Sequence, residues 1–198
     1  IEDHSPTPRY SCIHEGNEAV WLAEQKGGIF KISLTDGTVN MNNALQGLGE
    51  IQNIIEGENH TLYAAVKNHG IDDLNVRTNE VRMLVPLASN IQHSFRDSTG
   101  LFWFIADDKR AIAYNSRKRS SKIFSFPDEP SFNEAMTWQD GKELGMFFLS
   151  SAGKVYRIDR DKMEMNVLFA SPKEADANVI FSNLFFDGKG ILCLASYD

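Results

Sequence analysis

A short phrase recurs along this chain at near-regular intervals. An acidic or turn-forming stretch is followed by an apolar run that carries an aromatic side chain, and then by a second apolar run. At the aromatic position stand Trp21, Tyr63, Trp103, Phe147 and Cys193, with spacings of 42, 40, 44 and 46 residues. Repeats of about 40 to 50 residues built from β units are typical of β-propellers. The repeat therefore predicts an all-β propeller.

Within each repeat, the pattern predicts four short antiparallel strands joined by turns rich in Gly, Asn and Asp. The repeats cover approximately residues 9–50, 51–90, 91–130, 131–178 and 179–198, and the last has room for only two strands. The predicted strands are 10–14, 19–23, 29–33, 38–41, 51–55, 61–66, 71–75, 81–85, 91–96, 101–106, 111–115, 122–126, 133–138, 145–150, 155–159, 166–169, 181–186 and 191–196. The sequence thus predicts about four and a half four-stranded blades in one domain or fragment spanning 1–198.

The truncated fifth repeat indicates a partial propeller. One twisted sheet cannot cover both of its apolar faces, so successive sheets must stack on one another. A propeller closed on this chain alone would need strand material from residues 1–7, where Pro6 cannot donate to a ladder. We therefore expect a piece of a longer propeller, with Trp21 and Trp103 packed between blades rather than contacting a ligand.

The bulk composition excludes some partners and leaves others open. A net charge of −7 and a pI near 5.2 argue against nucleic acid, which is bound through Lys and Arg. No run approaches the ~18 apolar residues of a membrane span, so any membrane attachment would use segments outside this chain. Cys12 and Cys193 fall in apolar strand patterns, and we expect free thiols rather than a disulfide.

The repeat resembles that of the two-component regulator propeller family. The acidic-x-x-Gly turn and the Trp strand of that family are matched by residues 97–105 (DSTGLFWFI). Its middle section is matched by residues 19–23 (AVWLA) and 27–32 (GGIFKI). Its third strand with a closing aspartate is matched by 151–159 (SAGKVYRID), and the turn recurs at 187–192 (DGKGIL). In the other repeats Tyr, Phe and Cys replace the expected Trp.

This resemblance implies the extracytoplasmic, periplasmic sensor region of a membrane-anchored bacterial hybrid histidine kinase. Some members of the family respond to carbohydrate breakdown products, so the implied ligand is a small molecule, with carbohydrates as candidates. The implied protein partner is the rest of the same kinase, and a homodimer is also open. No P-loop of the G-x-x-x-x-G-K-[ST] kind occurs here, so the output region would lie elsewhere on a longer polypeptide.

Candidate binding residues lie in the turns that connect second and third strands. These turns should emerge on one face of the propeller, and loops on a rigid scaffold are where binding residues concentrate. The candidates are Lys26, His69, Asp107 and Asp108. The alternative is that they are solvated hairpin tips. His69 with Asp72 or Asp73 could also hold a cation, although a polar turn entering a strand explains the same residues.

Other chemistry finds little support in the sequence. The histidines of the array lack His-x-x-x-His spacing, no Cys-x-x-Cys pair occurs, and no G-x-S-x-G elbow surrounds a serine, so we expect no metal, cofactor or catalytic triad. The basic run at 117–119 is predicted at a blade's outer edge, where Lys and Arg discourage strand pairing.

Three functional hypotheses follow. The leading one is a non-enzymatic, ligand-sensing or partner-binding propeller that biases a kinase between two states. The second is a propeller lyase that resembles the streptogramin-cleaving family, which requires a His and a carboxylate converging on the central face. The third is a plain interaction scaffold.

Overall fold

The computed structural model describes residues 9–126, 137–150, 153–170, 180–187 and 191–197. The chain divides into two compact units, Ile1–Phe95 and Arg96–Asp198, which we describe separately. Regular structure in the described residues is β, apart from one turn of 3-10 helix at Lys142–Leu144. In these residues no helix has the length and apolarity that crossing a membrane requires.

The first unit contains two four-stranded antiparallel sheets in which strand order follows chain order. The first sheet consists of β1 (Tyr10–Glu15), β2 (Ala19–Glu24), β3 (Ile29–Ser33) and β4 (Val39–Asn42). The second consists of β5 (Ile51–Glu56), β6 (Thr61–Val66), β7 (Gly70–Asn75) and β8 (Glu80–Pro86).

The remaining sheets repeat this meander, and the unit boundary falls within β9. The third sheet consists of β9 (Ile91–Arg96), β10 (Phe102–Ala106), β11 (Arg110–Asn115) and β12 (Ser120–Ser125). The fourth consists of β13 (Thr137–Asp140), β14 (Met146–Leu149), β15 (Lys154–Asp159) and β16 (Glu164–Ala170). A two-stranded fifth sheet pairs β17 (Ile180–Phe186) with β18 (Leu192–Tyr197).

The predicted strand order is confirmed, with most bounds within one or two residues. Of the predicted strand 133–138, residues 133–136 lie outside the described residues, as do the proposed seam segment 1–7 and residues 151–152 and 188–190 of the family motif. The expectation of one domain over 1–198 remains a prediction.

The turn between third and fourth strands is the same in all four complete sheets. Its last residue has positive φ: Gly37 (70°), Asn79 (63°), Arg119 (50°) and Met163 (52°). The residue that closes the third strand uses its side-chain oxygen to cap this turn, as Asp159 does for the N–H groups of residues 161 and 162. Asn75 and Asn115 act likewise, which explains why the closing position favours short polar side chains.

Each unit is stabilised internally by apolar side chains, which alternate with polar ones along many of the strands. In the first unit, one core combines residues of both sheets, including Trp21, Ile29, Ile54 and Leu74. In the second unit, the fully buried Trp103 packs against Phe148 of the fourth sheet. Burial of such aromatic side chains contributes about 1.5–3 kcal/mol each.

The first and third sheets are also fastened to the sheet that follows by a repeated backbone contact. The carboxylate of Glu56 accepts a hydrogen bond from the Asn17 N–H at 3.0 Å. The carboxylate of Asp140 accepts one from the Ser98 N–H at 2.6 Å. We call this contact the clasp.

Cys12 and Cys193 are both free thiols. Burial raises the pKa of the Cys12 thiol to about 11, although hydrogen bonds from Ser11 and nearby backbone oppose this. This thiol is therefore unreactive at neutral pH.

Candidate functional site

The hairpin between β6 and β7 is a tight turn that presents His69. Asn68 has φ 58° and Gly70 has φ 140°, both in the left-handed region. A Cβ on Gly70 would lie 2.1 Å from the carbonyl oxygen of Val85, so only glycine fits here. The His69 carbonyl accepts a hydrogen bond from the Leu87 N–H, which anchors the turn to the chain that follows β8.

His69 is paired with a buried carboxylate. Its Nε2 lies 3.3 Å from Oδ1 of Asp72 in hydrogen-bonding geometry and 3.1 Å from Oδ2. Asp72 is 1% exposed, and its Oδ2 has no hydrogen-bond partner of suitable geometry in the described residues. Burial raises the pKa of the Asp72 carboxyl, and the neighbouring His69 offsets part of that rise. A buried carboxyl with a raised pKa beside a histidine is typical of functional sites.

Strand registers show that Asp72 interrupts the apolar pattern of the repeat. It pairs with Ala64. The same position is held by Phe30, Ile112 and Tyr156 in the other complete sheets, paired with Leu22, Phe104 and Phe148. Because the fold accepts large apolar side chains here, packing does not require a carboxylate. The Asp72–His69 pair is therefore a specific feature of the second sheet.

The other predicted site residues lie at equivalent turns. Lys26 is exposed between β2 and β3, and no hydrogen bond or ion pair of the described residues joins it to His69. Asp107 and Asp108 lie between β10 and β11, where the Asp108 carboxylate accepts hydrogen bonds from the guanidinium of Arg110, with Nε at 2.8 Å. Lys26 and His69 belong to the first unit and the two aspartates to the second. A single site formed by all four stays a prediction.

Of the two aspartates considered as partners of His69, only Asp72 contacts it. Asp73 instead accepts a hydrogen bond from Arg82 at 3.0 Å. In the part of the chain that the structure describes, no group of three or more His, Cys, Asp and Glu side chains could hold a metal ion. Asp72 is absent from the four candidate binding residues predicted from the sequence, in which it is considered only as a cation ligand beside His69. The signal that identifies it is its alignment with an apolar position in the other repeats.

No family model and no curated protein matches this sequence. Solved structures do match. The extracellular domain described as that of the hybrid two-component system BT4673 from B. thetaiotaomicron is 22% identical, over 94% of this chain and 26% of that one, with a TM-score of 0.65. That of BT3049 from the same organism is 13% identical, over 94% and 25%, with a TM-score of 0.61. A streptogramin B lyase is 17% identical, over 98% and 64%, with a TM-score of 0.64.

The chain spans about a quarter of the length of these extracellular domains. The resemblance to two-component regulator propellers and the β-propeller fold class are both confirmed, since sensor domains and lyases of this fold align with most of the chain. At these identities the likeness establishes the fold, and the sheets described above are four complete blades and part of a fifth.

Proposed function

We propose that this chain is part of the extracytoplasmic sensor propeller of a bacterial two-component system. It binds a small molecule or a partner through the hairpins between second and third strands, and the bound state biases a kinase region encoded elsewhere on the same polypeptide. The structural likeness to extracellular domains of hybrid two-component systems supports the sensor role.

The single observation that carries the binding site is the His69–Asp72 pair. A buried carboxylate costs folding free energy, and the repeat offers an apolar alternative at the same position. The pair holds the imidazole at the base of an otherwise polar hairpin, next to Lys67 and Asn68. Imidazole and amide groups in such a turn can hydrogen bond to the hydroxyl groups of a polyol, which favours a carbohydrate as ligand.

Thermal denaturation in the presence of neutral mono- and oligosaccharides, which lack the oxyanion groups considered below, tests this proposal. A ligand of the hairpin should raise the melting temperature in a saturable way. His69→Gln should abolish the shift, and His14→Gln, a matched change on β1 of the same unit, should retain it. A shift that survives His69→Gln would contradict the hairpin site.

The sensor role has its own test, independent of the ligand. The complete gene product is expected to carry a transmembrane helix and a histidine kinase region. A complete product without them would contradict the sensor proposal while leaving the hairpin site open.

The His69–Asp72 pair also favours a second candidate, a lyase. A carboxylate that orients an imidazole is a common general-base arrangement, and a virginiamycin B lyase from Staphylococcus aureus solved with quinupristin shares this fold, with a TM-score of 0.65. Incubation with quinupristin, followed by chromatographic separation and mass spectrometry, should show conversion of the ring to an open-chain isomer of the same mass only if the lyase hypothesis holds, and His69→Gln should stop that conversion.

A further inference from the structure

A pocket of about 520 Å³ lies in the first unit beside Trp21. Its walls come from β3 and β4 of the first sheet and from two turns of the second sheet, the β5–β6 turn with His60 and the β7–β8 turn with Arg77. Because β6 begins after His60 and ends before Lys67, this pocket lies at the opposite end of β6 from the His69 hairpin. It is therefore separate from the site proposed above.

The charge of this pocket is opposite to that of the chain. Lys31, His60 and Arg77 line it together with three asparagines, and none of its described lining residues is acidic, whereas the whole chain has a net charge of −7. Neither Lys31 nor Arg77 forms an ion pair with a described residue. Lys31 instead holds its Nζ 5.4 Å from the centroid of the Trp21 ring, a cation–π contact that keeps the ammonium group at the pocket wall.

Comparison with the third and fourth sheets shows why this pocket reaches the tryptophan. Asn42 of β4 pairs with Ile29, and at the same positions of the third sheet Phe124 of β12 pairs with Ala111. In the third sheet Phe124 stacks on Trp103, with ring centroids 6.0 Å apart. In the first sheet the amide of Asn42 takes the place of that ring. Ala64 stands where Phe148 packs on the same indole. Two aromatic side chains that fill the space around Trp103 are thus replaced by smaller ones around Trp21.

The first unit also contains a buried hydrogen-bond donor without an acceptor among the described residues. Trp21 is 3% exposed, and its indole Nε1 has no acceptor among the described residues. The corresponding Nε1 of Trp103 donates to Asp97 at 2.8 Å. Buried donors of this kind nearly always have a partner, so the unsatisfied Nε1 marks a place where an acceptor is missing.

We propose that this pocket binds a small molecule through an oxyanion, which is a carboxylate, sulfate or phosphate group. Arg77 and Lys31 supply the charge, and Arg guanidinium groups bind such oxyanions through two parallel hydrogen bonds. Asn42 and Asn79, joined by a 2.6 Å hydrogen bond between Nδ2 and Oδ1, present amides to the polar remainder of the molecule.

The pocket at the equivalent place in the second unit differs in this respect. It has a volume of about 460 Å³ and is lined by Lys118, Lys122, Arg160 and Asp161 among others, whereas Trp103 is not among its lining residues. Arg160 is already occupied, with Nε 2.9 Å from Oδ2 of Asp97 and a further ion pair to Asp140. An arginine whose charge is neutralised by two carboxylates has little affinity left for an added anion. The first unit therefore differs in its arginine, because Arg77 has no carboxylate partner among the described residues, whereas the second-unit pocket keeps only the two lysines for an added anion.

Isothermal titration of the whole chain tests the proposal with four probes: inorganic sulfate, inorganic phosphate, glucuronate and glucose. Glucuronate and glucose differ in one carboxylate, so saturable binding of glucuronate without binding of glucose is the expected result. Binding of sulfate or phosphate as well would show that the free ion suffices. Equal binding of glucose and glucuronate, or no saturable binding of any oxyanion, would overturn the proposal.

Matched variants locate the site. Arg77 and Arg117 occupy the same position of equivalent turns, and only Arg77 lines the pocket. Arg77→Gln should weaken glucuronate binding about tenfold or more, Lys31→Gln should also weaken it, and Arg117→Gln should leave it unchanged. His69→Gln should leave it unchanged as well, whatever becomes of the hairpin site. Equal weakening by Arg77→Gln and Arg117→Gln, or loss with His69→Gln, would contradict the assignment.

Discussion

Trp21 and Trp103 occupy the same position of the repeat, yet their surroundings differ. Trp103 is fully buried, stacks on Phe124 and donates its indole N–H to Asp97. Asp97 also accepts a hydrogen bond from Arg160 Nε at 2.9 Å. Trp21 has no such acceptor, and a cationic pocket lies beside it.

The turn before the tryptophan strand explains part of this difference, because it is one residue shorter in the first unit. The Gly16 N–H donates to the carbonyl of Ala19, three residues on, whereas the Asp97 N–H donates to that of Leu101, four residues on. The clasp N–H groups of Asn17 and Ser98 directly follow these two residues, so Gly16 stands at the position of Asp97 and has no side chain to accept the indole N–H. Arg160, which follows the closing Asp159, corresponds to Val76, which follows Asn75. The clasp is present in both units, so the sheets are joined in the same way. A shorter turn and a few side chains thus replace the ion-paired surroundings of Trp103 by a cationic pocket beside Trp21.

The largest effect is expected where the buried charges are removed. Asp97→Ala leaves Arg160, which is 7% exposed, without one of its carboxylates and leaves the N–H of Trp103 unpaired. We expect a loss of about 3 kcal/mol or more in the free energy of unfolding, measured by urea denaturation. Glu15→Ala, which removes the carboxylate next to Gly16 in the first unit, should cost about 0.5 kcal/mol or less because Glu15 is exposed. Similar losses in the two variants would contradict the difference between the units.

Replacing each tryptophan by phenylalanine should also destabilise the second unit more than the first, with a smaller loss in the free energy of unfolding. Trp103→Phe removes a hydrogen bond to a buried carboxylate, whereas Trp21→Phe removes a donor that has no acceptor. We expect Trp103→Phe to lower the free energy of unfolding by about 1–3 kcal/mol more than Trp21→Phe does. A larger loss for Trp21→Phe would show that its N–H is satisfied.

Closing the open pocket should stabilise the chain while removing its proposed ligand. Asn42→Phe introduces the residue that stacks on Trp103 in the third sheet. An aromatic pair adds about 0.5–1.5 kcal/mol, from which the lost hydrogen bond between Asn42 and Asn79 subtracts part. We expect an unchanged or higher melting temperature together with loss of glucuronate binding. Retained binding would place the oxyanion outside the pocket.

The smallest effect is an acid-dependent one in the second unit. Burial raises the pKa of Asp140, but hydrogen bonds from Ser98, Arg160 and the Lys142 N–H together lower it from 3.8 to about 2. Because the folded pKa is the lower one, this stabilisation is present above pH 3.8 and is lost as the pH falls through about 2. Allowing for solvent screening, it amounts to about 1 kcal/mol. Asp140→Asn should remove this part of the pH dependence of unfolding, and an unchanged acid slope would contradict it.

The strands could be predicted from the sequence because they are local. Alternating apolar residues and the Gly, Asn and Asp of the turns fix each hairpin, so the repeat at 51–90 is predicted to within one residue at most strand ends. The family resemblance was also carried by short local motifs such as the turn and strand around Trp103.

The contacts between sheets could not be predicted, because they join residues distant in sequence. Arg160 and Asp97 are 63 positions apart, and nothing near Arg160 indicates that it bonds a carboxylate in the preceding sheet. Trp21 lies in a core shared by the first two sheets and Trp103 packs against Phe148 of the fourth sheet, as the sequence predicts, but Trp21 also lines the proposed ligand pocket. The indole N–H of Trp21 is unsatisfied because no described residue beside it offers an acceptor. A single sequence does not reveal such a missing contact.

The most direct test of the difference between the units is the indole N–H spectrum of the ¹⁵N-labelled protein, with resonances assigned by Trp→Phe variants. The Trp103 indole proton, bonded to a carboxylate, should lie downfield of that of Trp21 and remain unmoved when glucuronate is added. The Trp21 resonance should shift in a saturable way, and Arg77→Gln should prevent the shift. A Trp21 resonance that ignores glucuronate, or two indole resonances that respond alike, would contradict the account.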